Sequence, residues 1–150
     1  MAHTYTNHLY HGVYSTKGRR PWLEPTMVSE LAKITGSIIR ERKGNILVFN
    51  AVPDHVHLLA MFPPSQAVSD MFRDIKAIST NWIKERFPHL RDFAWQGGYS
   101  SFTVGPSAVE AVSRYIDNQQ ERHRAETFEE ELLSLLKQCG IEYDPRYVVD

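Results

Sequence analysis

Two periods of hydrophobic and polar residues alternate along this 150-residue chain. In some stretches apolar side chains recur every three or four positions, which predicts amphipathic helices. In others, β-branched and aromatic residues form short runs bounded by turn residues, which predicts strands. The predicted helices comprise residues 25–42, 67–87 and 107–120. The predicted strands comprise residues 5–16, 46–52, 55–62 and 95–104.

The order of these elements, β-α-β-β-α-β-α, predicts the fold class. It matches the ferredoxin-like split βαβ plan of an α+β domain, with an antiparallel four-stranded sheet and helices on one face. Only Pro53 and Asp54 separate the second predicted strand from the third. We therefore expect these two strands to form a hairpin, with the third strand in a central position.

A C-terminal helical extension is predicted beyond this core. Thr127 and Glu130 have the spacing of a capping box, leucines fill most positions of residues 132–136, and Gly140 ends the helix. The predicted boundaries are those of a single domain at residues 1–150, a core at about 5–122, and an acidic C-terminal helix and tail at about 123–150.

The charge of the chain is unevenly distributed, although the net charge is only −1. Residues 1–124 contain 15 Lys or Arg and 11 Asp or Glu, whereas residues 125–150 contain 2 and 7. A mildly basic body with an acidic tail is compatible with a localised nucleic-acid surface. The single cysteine excludes an internal disulfide framework, and no apolar leader or long apolar run is present. We expect a cytoplasmic protein without membrane contact.

The candidate chemistry begins with two histidines in the third strand. His55 and His57 are two positions apart, so their side chains should lie on the same face of the sheet. Two imidazoles on one face form half of a metal site, although one of them could instead be a hydrogen-bonded histidine without a chemical role. We expect His8 and His11, on the first strand, to be structural or to support the site.

A second pair of polar residues lies on the third predicted helix. Tyr115 and Gln119 are four positions apart and therefore share one face of that helix. If the helix crosses the histidine strand, Gln119 can be a third ligand and Tyr115 can reach a substrate at the metal. Two alternatives remain open at this point: Tyr115 packs as an ordinary amphipathic tyrosine, or Gln120 is the ligand.

Three segments of the chain resemble, in order, the signatures of a known enzyme family. They are Pro53–Leu59, Trp95–Phe102 and Tyr115–Gln119. The family is that of the single-tyrosine transposases among the His-hydrophobic-His endonucleases. It includes the insertion-sequence 200/605-like transposases and relatives associated with repetitive extragenic palindromes. The resemblance covers roughly residues 5–122, including the turn Gly18-Arg19-Arg20-Pro21.

The resemblance implies a metal-dependent DNA strand transferase that acts in DNA transposition. Tyr115 would attack single-stranded DNA at hairpin-bearing sites and form a covalent 5′-phosphotyrosine. The resemblance implies a divalent metal, Mg or Mn, held by His55, His57 and Gln119. Two imidazoles and one amide oxygen would by themselves also accept other divalent ions, such as Zn or Co.

Candidate DNA contacts follow from charge and aromatic character. The basic candidates for phosphate contacts are Lys17, Arg19, Arg20, Arg73, Lys76, Lys84, Arg114 and Arg122. Trp95 and Tyr99 are candidates for stacking on unpaired bases. The basic stripe on the second helix is equally well explained as a solvated helix face.

Two other functions and two assemblies remain open from the sequence. The functions are a related DNA-nicking endonuclease and a non-catalytic hairpin-binding protein on the same fold. The acidic extension resembles that of the palindrome-associated relatives, so both a monomer and a homodimer are compatible with the chain. In a homodimer, Tyr115 would serve the histidines of the partner. We expect the protein to lie in the cytoplasm and to associate with the nucleoid when bound to DNA.

Overall fold

The computed structural model describes residues 2–148. Four strands and five helices form the framework, and single 3-10 turns connect some of them. The strands are β1 (Leu9–Ser15), β2 (Asn45–Val52), β3 (His55–Met61) and β4 (Ser100–Thr103). The helices are α1 (Val28–Glu41), α2 (Val68–Arg86), α3 (Val109–Asp117), α4 (Gln119–Arg122) and α5 (Phe128–Gln138). No helix in this part of the chain is both long enough and apolar enough to cross a membrane.

The strands form one antiparallel sheet in the order β2-β3-β1-β4. This order confirms the predicted α+β, ferredoxin-like sheet and places the histidine strand at its centre. Val52 pairs with His55 across the two-residue turn, so β2 and β3 form the expected hairpin.

The last strand is shorter than predicted. Trp95 makes only an isolated bridge to Thr16, because the chain turns at Gly98, whose φ of 84° is incompatible with a strand.

The helices α1 and α2 pack on one face of this sheet. Their apolar stripes enclose the main core together with the side chains of β3 that point to this face. The central members of this core are Leu31, Ile38, Val56, Leu58, Phe72 and Ile75. Since strand side chains alternate, His55 and His57 point away from α1 and α2.

The C-terminal helices cover the opposite face. Phe128, Leu132, Leu135 and Leu136 of α5 pack against Val13 of β1. In a neighbouring cluster, Ile116 of α3 packs against Leu59 of β3. The predicted C-terminal extension is therefore a layer that closes the histidine face of the sheet. Thr127 caps α5 by accepting a hydrogen bond from the Glu130 amide, as its capping-box spacing predicts.

The predicted helix over residues 107–120 is not continuous, and this part of the prediction is wrong. It divides into α3 and α4 at Asn118, whose ψ of 17° departs from the helical value. The side chain of Asn50 on β2 donates hydrogen bonds to the carbonyls of Ile116 (2.8 Å) and Asp117 (3.3 Å). These carbonyls lie at the helix end, so a contact from the sheet satisfies groups that a longer helix would have used itself.

A sharp turn ends α1 and provides a test of the local structure. Lys43 has a φ of 69°, and the Gly44 amide donates to the Ile39 carbonyl at 2.9 Å, which is the pattern of a Schellman motif. A Cβ on Gly44 would lie 2.7 Å from the Met61 carbonyl oxygen. Glycine is thus needed for space at position 44, whereas the left-handed backbone that favours glycine belongs to Lys43.

We expect two substitutions in this turn to have opposite effects. Lys43→Gly should raise the free energy of unfolding by about 1 kcal/mol, because it removes the strain of a side chain in the left-handed region. Gly44→Ala should lower it by about 1–3 kcal/mol, because the backbone carbonyl cannot move away. Urea denaturation of both variants measures the difference. Equal effects of the two substitutions would contradict this assignment.

Candidate active site

The strand β3 places two imidazoles on the face that the C-terminal helices cover. His55 and His57 are almost completely buried, with 0% and 1% of their surface exposed. Their ring centroids lie 5.1 Å apart. The C-terminal helices thus enclose both rings against the sheet, out of contact with bulk water.

A third imidazole, His123, joins these two from the segment after α4. The Nε2 atoms of all three rings lie within 3.2 Å of one oxygen, Oε1 of Glu131. The ring of His123 packs edge-on against the ring of His55, with a centroid distance of 4.5 Å. His123 is not among the residues predicted from the sequence, although it follows Gln119 by four positions and so continues the polar face of that segment.

In each of these rings Nδ1, the outer nitrogen that faces away from Glu131, is hydrogen-bonded to another group. His55 Nδ1 lies 2.7 Å from a carboxylate oxygen of Asp54, and His123 Nδ1 lies 2.7 Å from the Glu126 carbonyl. His57 Nδ1 lies 2.8 Å from Nε2 of His11. Partners of this kind orient metal-binding histidines and direct Nε2 towards the ion. His11 therefore supports His57 in this structure, whereas His8 is exposed.

Burial and neighbouring charges shift the pKa values of these rings in different directions. Burial and the neighbouring His57 lower the pKa of His11 to about 3. Burial also lowers the pKa of His57. For His55 burial acts in the same direction, but hydrogen bonds to Asp54 and Glu131 outweigh it and raise the pKa. His57 and His11 are thus favoured as neutral rings, the form in which imidazole binds metals.

The break at Asn118 directs Gln119 into the site. Gln119 is completely buried, and its Oε1 lies 3.3 Å from His55 Nε2. Its amide nitrogen donates to Oε2 of Glu131 at 2.8 Å. The neighbouring Gln120 instead exchanges two hydrogen bonds of 2.8 Å with Asn50 on β2. Of the two glutamines considered from the sequence, only Gln119 lies with the histidines.

Tyr115 lies over the same group of residues. Its ring centroid is 5.8 Å from the centroids of both His11 and His57, and its hydroxyl donates a hydrogen bond to Glu131 Oε2. The Arg122 guanidinium lies 4.5 Å from the centre of the tyrosine ring. Burial and the Glu131 carboxylate raise the pKa of Tyr115 beyond its usual range, so the hydroxyl remains protonated in this arrangement.

Glu131 of α5 is the central residue of the site and is not among the residues predicted from the sequence. It is 1% exposed, and its two oxygens accept hydrogen bonds from groups on β3, α3 and α4. Although burial acts against ionisation, hydrogen bonds from His123, His55 and His57 hold its pKa well below the usual range. One sequence signal could have identified it. Glu131 lies on the apolar stripe of α5, between Phe128 and Leu135, where a carboxylate needs a buried partner.

The comparisons with known proteins identify the family. The family model described as "Transposase IS200 like" matches residues 4–119. The chain belongs to this transposase family. The match confirms the resemblance that the three sequence motifs indicate, and it establishes the chain as a transposase.

Relatives of the transposase support the same conclusion. It is 26% identical to the ISDra2 transposase TnpA of Deinococcus radiodurans over 118 residues. This aligned segment covers 75% of this chain and 84% of the relative. A crystal structure of a transposase from Deinococcus radiodurans R1 has a TM-score of 0.64 at 26% identity, covering 79% of this chain and 96% of that chain. A REP-associated tyrosine transposase bound to a REP hairpin shares the fold, with a TM-score of 0.60 at 17% identity over 82% of this chain and 73% of that chain.

Four of the predicted DNA-contact residues lie around the site of the transposase. Lys17 and Arg19 form a turn after β1, and Arg20 follows it with its guanidinium over the Trp22 ring. Thr16 fixes this turn beside the histidine strand, because its amide donates to the Asp54 carbonyl at 2.9 Å. On the other side, Arg122 pairs with Glu126 at 2.9 Å and covers Tyr115.

The structure does not support base stacking by Trp95. This side chain is only 8% exposed and its indole nitrogen donates to Ser79 at 3.0 Å, so the ring belongs to the core. Tyr99 is 39% exposed and stacks on Phe72 with a centroid distance of 4.3 Å. The prediction of a stacking aromatic is thus wrong for Trp95, whereas Tyr99 remains partly exposed.

The remaining basic candidates differ in their surroundings. Lys76 donates to the carbonyls of Gln96 and Gly98 at 2.6 Å each, so it holds the glycine loop and does not project freely. Burial lowers its pKa. The other three residues are exposed: Arg73 pairs with Asp70 and Asp74, Arg114 pairs with Glu110, and Lys84 lies near the end of α2.

Proposed function

We propose that this transposase cleaves and rejoins single-stranded DNA at hairpin-bearing sites through a covalent 5′-phosphotyrosine on Tyr115. The observation that carries the proposal is the convergence of the tyrosine hydroxyl and three imidazoles on one anion. The Glu131 carboxylate receives them all within hydrogen-bond distance. A carboxylate oxygen resembles a phosphate oxygen in charge and size, so the same groups suit a DNA phosphate that takes its place.

The chemistry follows from the groups that meet there. The Tyr115 oxygen forms a bond to phosphorus, the bond from phosphorus to the 3′ oxygen breaks, and the released oxygen takes up a proton as the tyrosine loses one. Because no water is consumed, the phosphodiester energy is retained in the phosphotyrosine and a DNA 3′-hydroxyl can reverse the step. Arg122, beside the tyrosine ring, favours the negative charge that develops on the tyrosine oxygen.

The donor set around His55 fits a divalent metal ion. His55, His57 and Gln119 supply two imidazole nitrogens and an amide oxygen, and the outer nitrogens of the two rings are bonded as in metal-binding histidines. Mg or Mn are the ions that the family resemblance implies. When bound, such an ion polarises a non-bridging phosphate oxygen and neutralises charge at phosphorus. The protein residues orient the DNA and exclude water from the phosphotyrosine.

A direct test is covalent capture of DNA. We expect labelled single-stranded hairpins to form an adduct with the protein that survives denaturing electrophoresis in the presence of Mn or Mg. EDTA should reduce the adduct to background, because the metal supplies electrophilic activation. A labelled 3′-hydroxyl strand added afterwards should release the adduct as a joined product. Adduct formation without joining would indicate the nicking endonuclease.

One observation favours the alternative of hairpin binding without cleavage. Burial and the carboxylate of Glu131 raise the pKa of Tyr115, which disfavours the nucleophilic form. A DNA phosphate must replace this carboxylate before cleavage can begin. Specific hairpin binding without any adduct, in either metal, would establish the non-catalytic alternative and overturn our proposal.

The basic turn after β1 is our proposed phosphate-binding surface. Lys17 and Arg20 are exposed beside the histidine strand. We expect Lys17→Ala and Arg20→Ala to weaken hairpin binding several-fold and each to reduce the salt dependence by about one counterion. Lys33→Ala on α1, exposed on the opposite side of the sheet, is the matched control. Fluorescence anisotropy at several salt concentrations measures both quantities, and equal losses in all three variants would contradict the surface.

A further inference from the structure

We propose that this chain has a four-ligand metal centre in which His123 and Glu131 complete the pair His55 and His57. One ligand atom from each residue lies within 4.8 Å of every other. Three of the residues are buried and His123 is half-buried. The ion that fits this set is of the Zn²⁺ class. This centre is that of the protein without DNA; when a DNA phosphate takes the place of Glu131, His55, His57 and Gln119 are the ligands of the proposed function. Only this link to DNA cleavage rests on the proposed function, whereas ion binding itself does not.

The distances around Glu131 Oε1 favour a shared ion. This oxygen lies 2.9 Å from Nε2 of His57, 2.9 Å from Nε2 of His123 and 3.2 Å from Nε2 of His55. Bonds of about 2.0–2.2 Å to a tetrahedral Zn²⁺ imply separations of roughly 3.3–3.6 Å between ligand atoms. Small side-chain shifts are therefore enough to admit the ion between these four atoms.

The orientation of the three rings independently favours a metal ion. In each ring Nε2 faces Glu131 Oε1, and Nδ1 is hydrogen-bonded to a group on the far side of the ring. The outer partner of His123 is a backbone carbonyl, which can only accept a hydrogen bond and so keeps the proton on Nδ1. An ion at the site would replace the Nε2 proton that His123 now directs at Glu131, so Nε2 becomes the ligand atom while Nδ1 keeps its proton.

The donor types determine which ion is favoured. Three imidazole nitrogens and one carboxylate oxygen suit Zn²⁺ and Co²⁺, whereas Mg²⁺ prefers six oxygen ligands, several of them water. The set of His55, His57 and Gln119 offers only neutral donors. Replacing the amide by the Glu131 carboxylate adds a negative charge and a buried oxygen, so the four-ligand centre should bind divalent ions more tightly.

Both added ligands lie outside the segment that the family model matches. That match ends at Gln119, whereas His123 follows α4 and Glu131 belongs to α5. Metal binding would thus connect α5 to β3 through coordination bonds. The ion would then stabilise the packing of the C-terminal helix on the histidine face.

The test measures ion binding in the full-length, metal-free protein without DNA. We expect Co²⁺ to give the intense visible absorption of a four-coordinate site, and Zn²⁺ to displace it stoichiometrically. His123→Ala and Glu131→Gln should each weaken Zn²⁺ binding by more than about 100-fold, because loss of a ligand costs more than loss of an outer-sphere partner. If Glu131→Gln fails to fold, the half-buried His123 supplies the same comparison. His89→Ala, at an exposed histidine, is the control.

Gln119→Ala separates this centre from the smaller ligand set. If His55, His57 and Gln119 hold the ion, Gln119→Ala weakens binding while His123→Ala and Glu131→Gln do not, and our inference is overturned. Absence of Co²⁺ and Zn²⁺ binding would also overturn it. A four-coordinate spectrum in a protein that forms no DNA adduct leaves the centre intact and refutes only the proposed function.

Discussion

Replacing Tyr115 by phenylalanine is expected to reduce the covalent DNA adduct by at least about 10³-fold, to background. Only the hydroxyl is lost, and the ring can still pack against His57 and beneath Arg122. Hairpin affinity should therefore stay within about threefold of the unchanged protein. Denaturing electrophoresis quantifies the adduct and anisotropy quantifies binding. An adduct of unchanged yield in Tyr115→Phe would refute the assignment of the nucleophile.

A mixing experiment with this variant also determines which chain the tyrosine serves. In the structure Tyr115 lies beside the histidines of its own chain. We therefore expect a mixture of Tyr115→Phe and His57→Ala proteins to remain inactive, because neither chain contains a complete site. Restored adduct formation in the mixture would show that tyrosine and histidines from two chains combine, as in the homodimer that the sequence left open.

Replacing Glu131 by alanine is expected to lower the free energy of unfolding of the metal-free protein by about 3–5 kcal/mol. The change removes the buried acceptor of hydrogen bonds from His57, His123, Gln119 and Tyr115. These groups would be left without a partner at the interface between α5 and the sheet, and each buried polar group without a partner is costly. Urea denaturation in EDTA measures the effect.

Glu129 provides the matched control for this measurement. It lies on the same first turn of α5 but is exposed. Glu129→Ala should change the free energy of unfolding by no more than about 0.5 kcal/mol. If Glu131→Ala is equally harmless, the carboxylate does not hold α5 on the histidine face, and the description of Glu131 as the centre of the site is wrong.

Local patterns predicted the elements of the transposase well where one residue type repeats on one face. The alternation in His55–Met61 and the apolar stripes of α1 and α2 led directly to the observed sheet and its first helical layer. The boundaries that were wrong depend on contacts from other elements. Asn50 on β2 interrupts the helix at Asn118, and this contact spans 66 residues of sequence.

The candidate site divides in the same way. The shared face of His55 and His57 follows from the alternation of a strand, and the four-residue spacing of Tyr115 and Gln119 follows from a helix. Trp95 is a candidate for base stacking in the sequence, and only the structure shows that it is buried, because a position in a motif says nothing about burial. His123 and Glu131 belong to no repeating pattern that points to β3, so their roles could not be derived from spacing.

The sequence by itself determined the transposase family, the order of the strands and helices, and the two pairs of residues that share a face. Periodicity and motif spacing are local properties, so they are visible before the chain folds. Only the tertiary structure decided that α5 closes the histidine face and brings Glu131 to within 3.2 Å of imidazoles on β3, more than 70 residues away in sequence. The physical reason is that the apolar side chains of α5 pack against β1, and this packing brings Glu131 close to the imidazoles. An apolar stripe in the sequence predicts that a helix is buried, but it does not indicate which element the helix packs against.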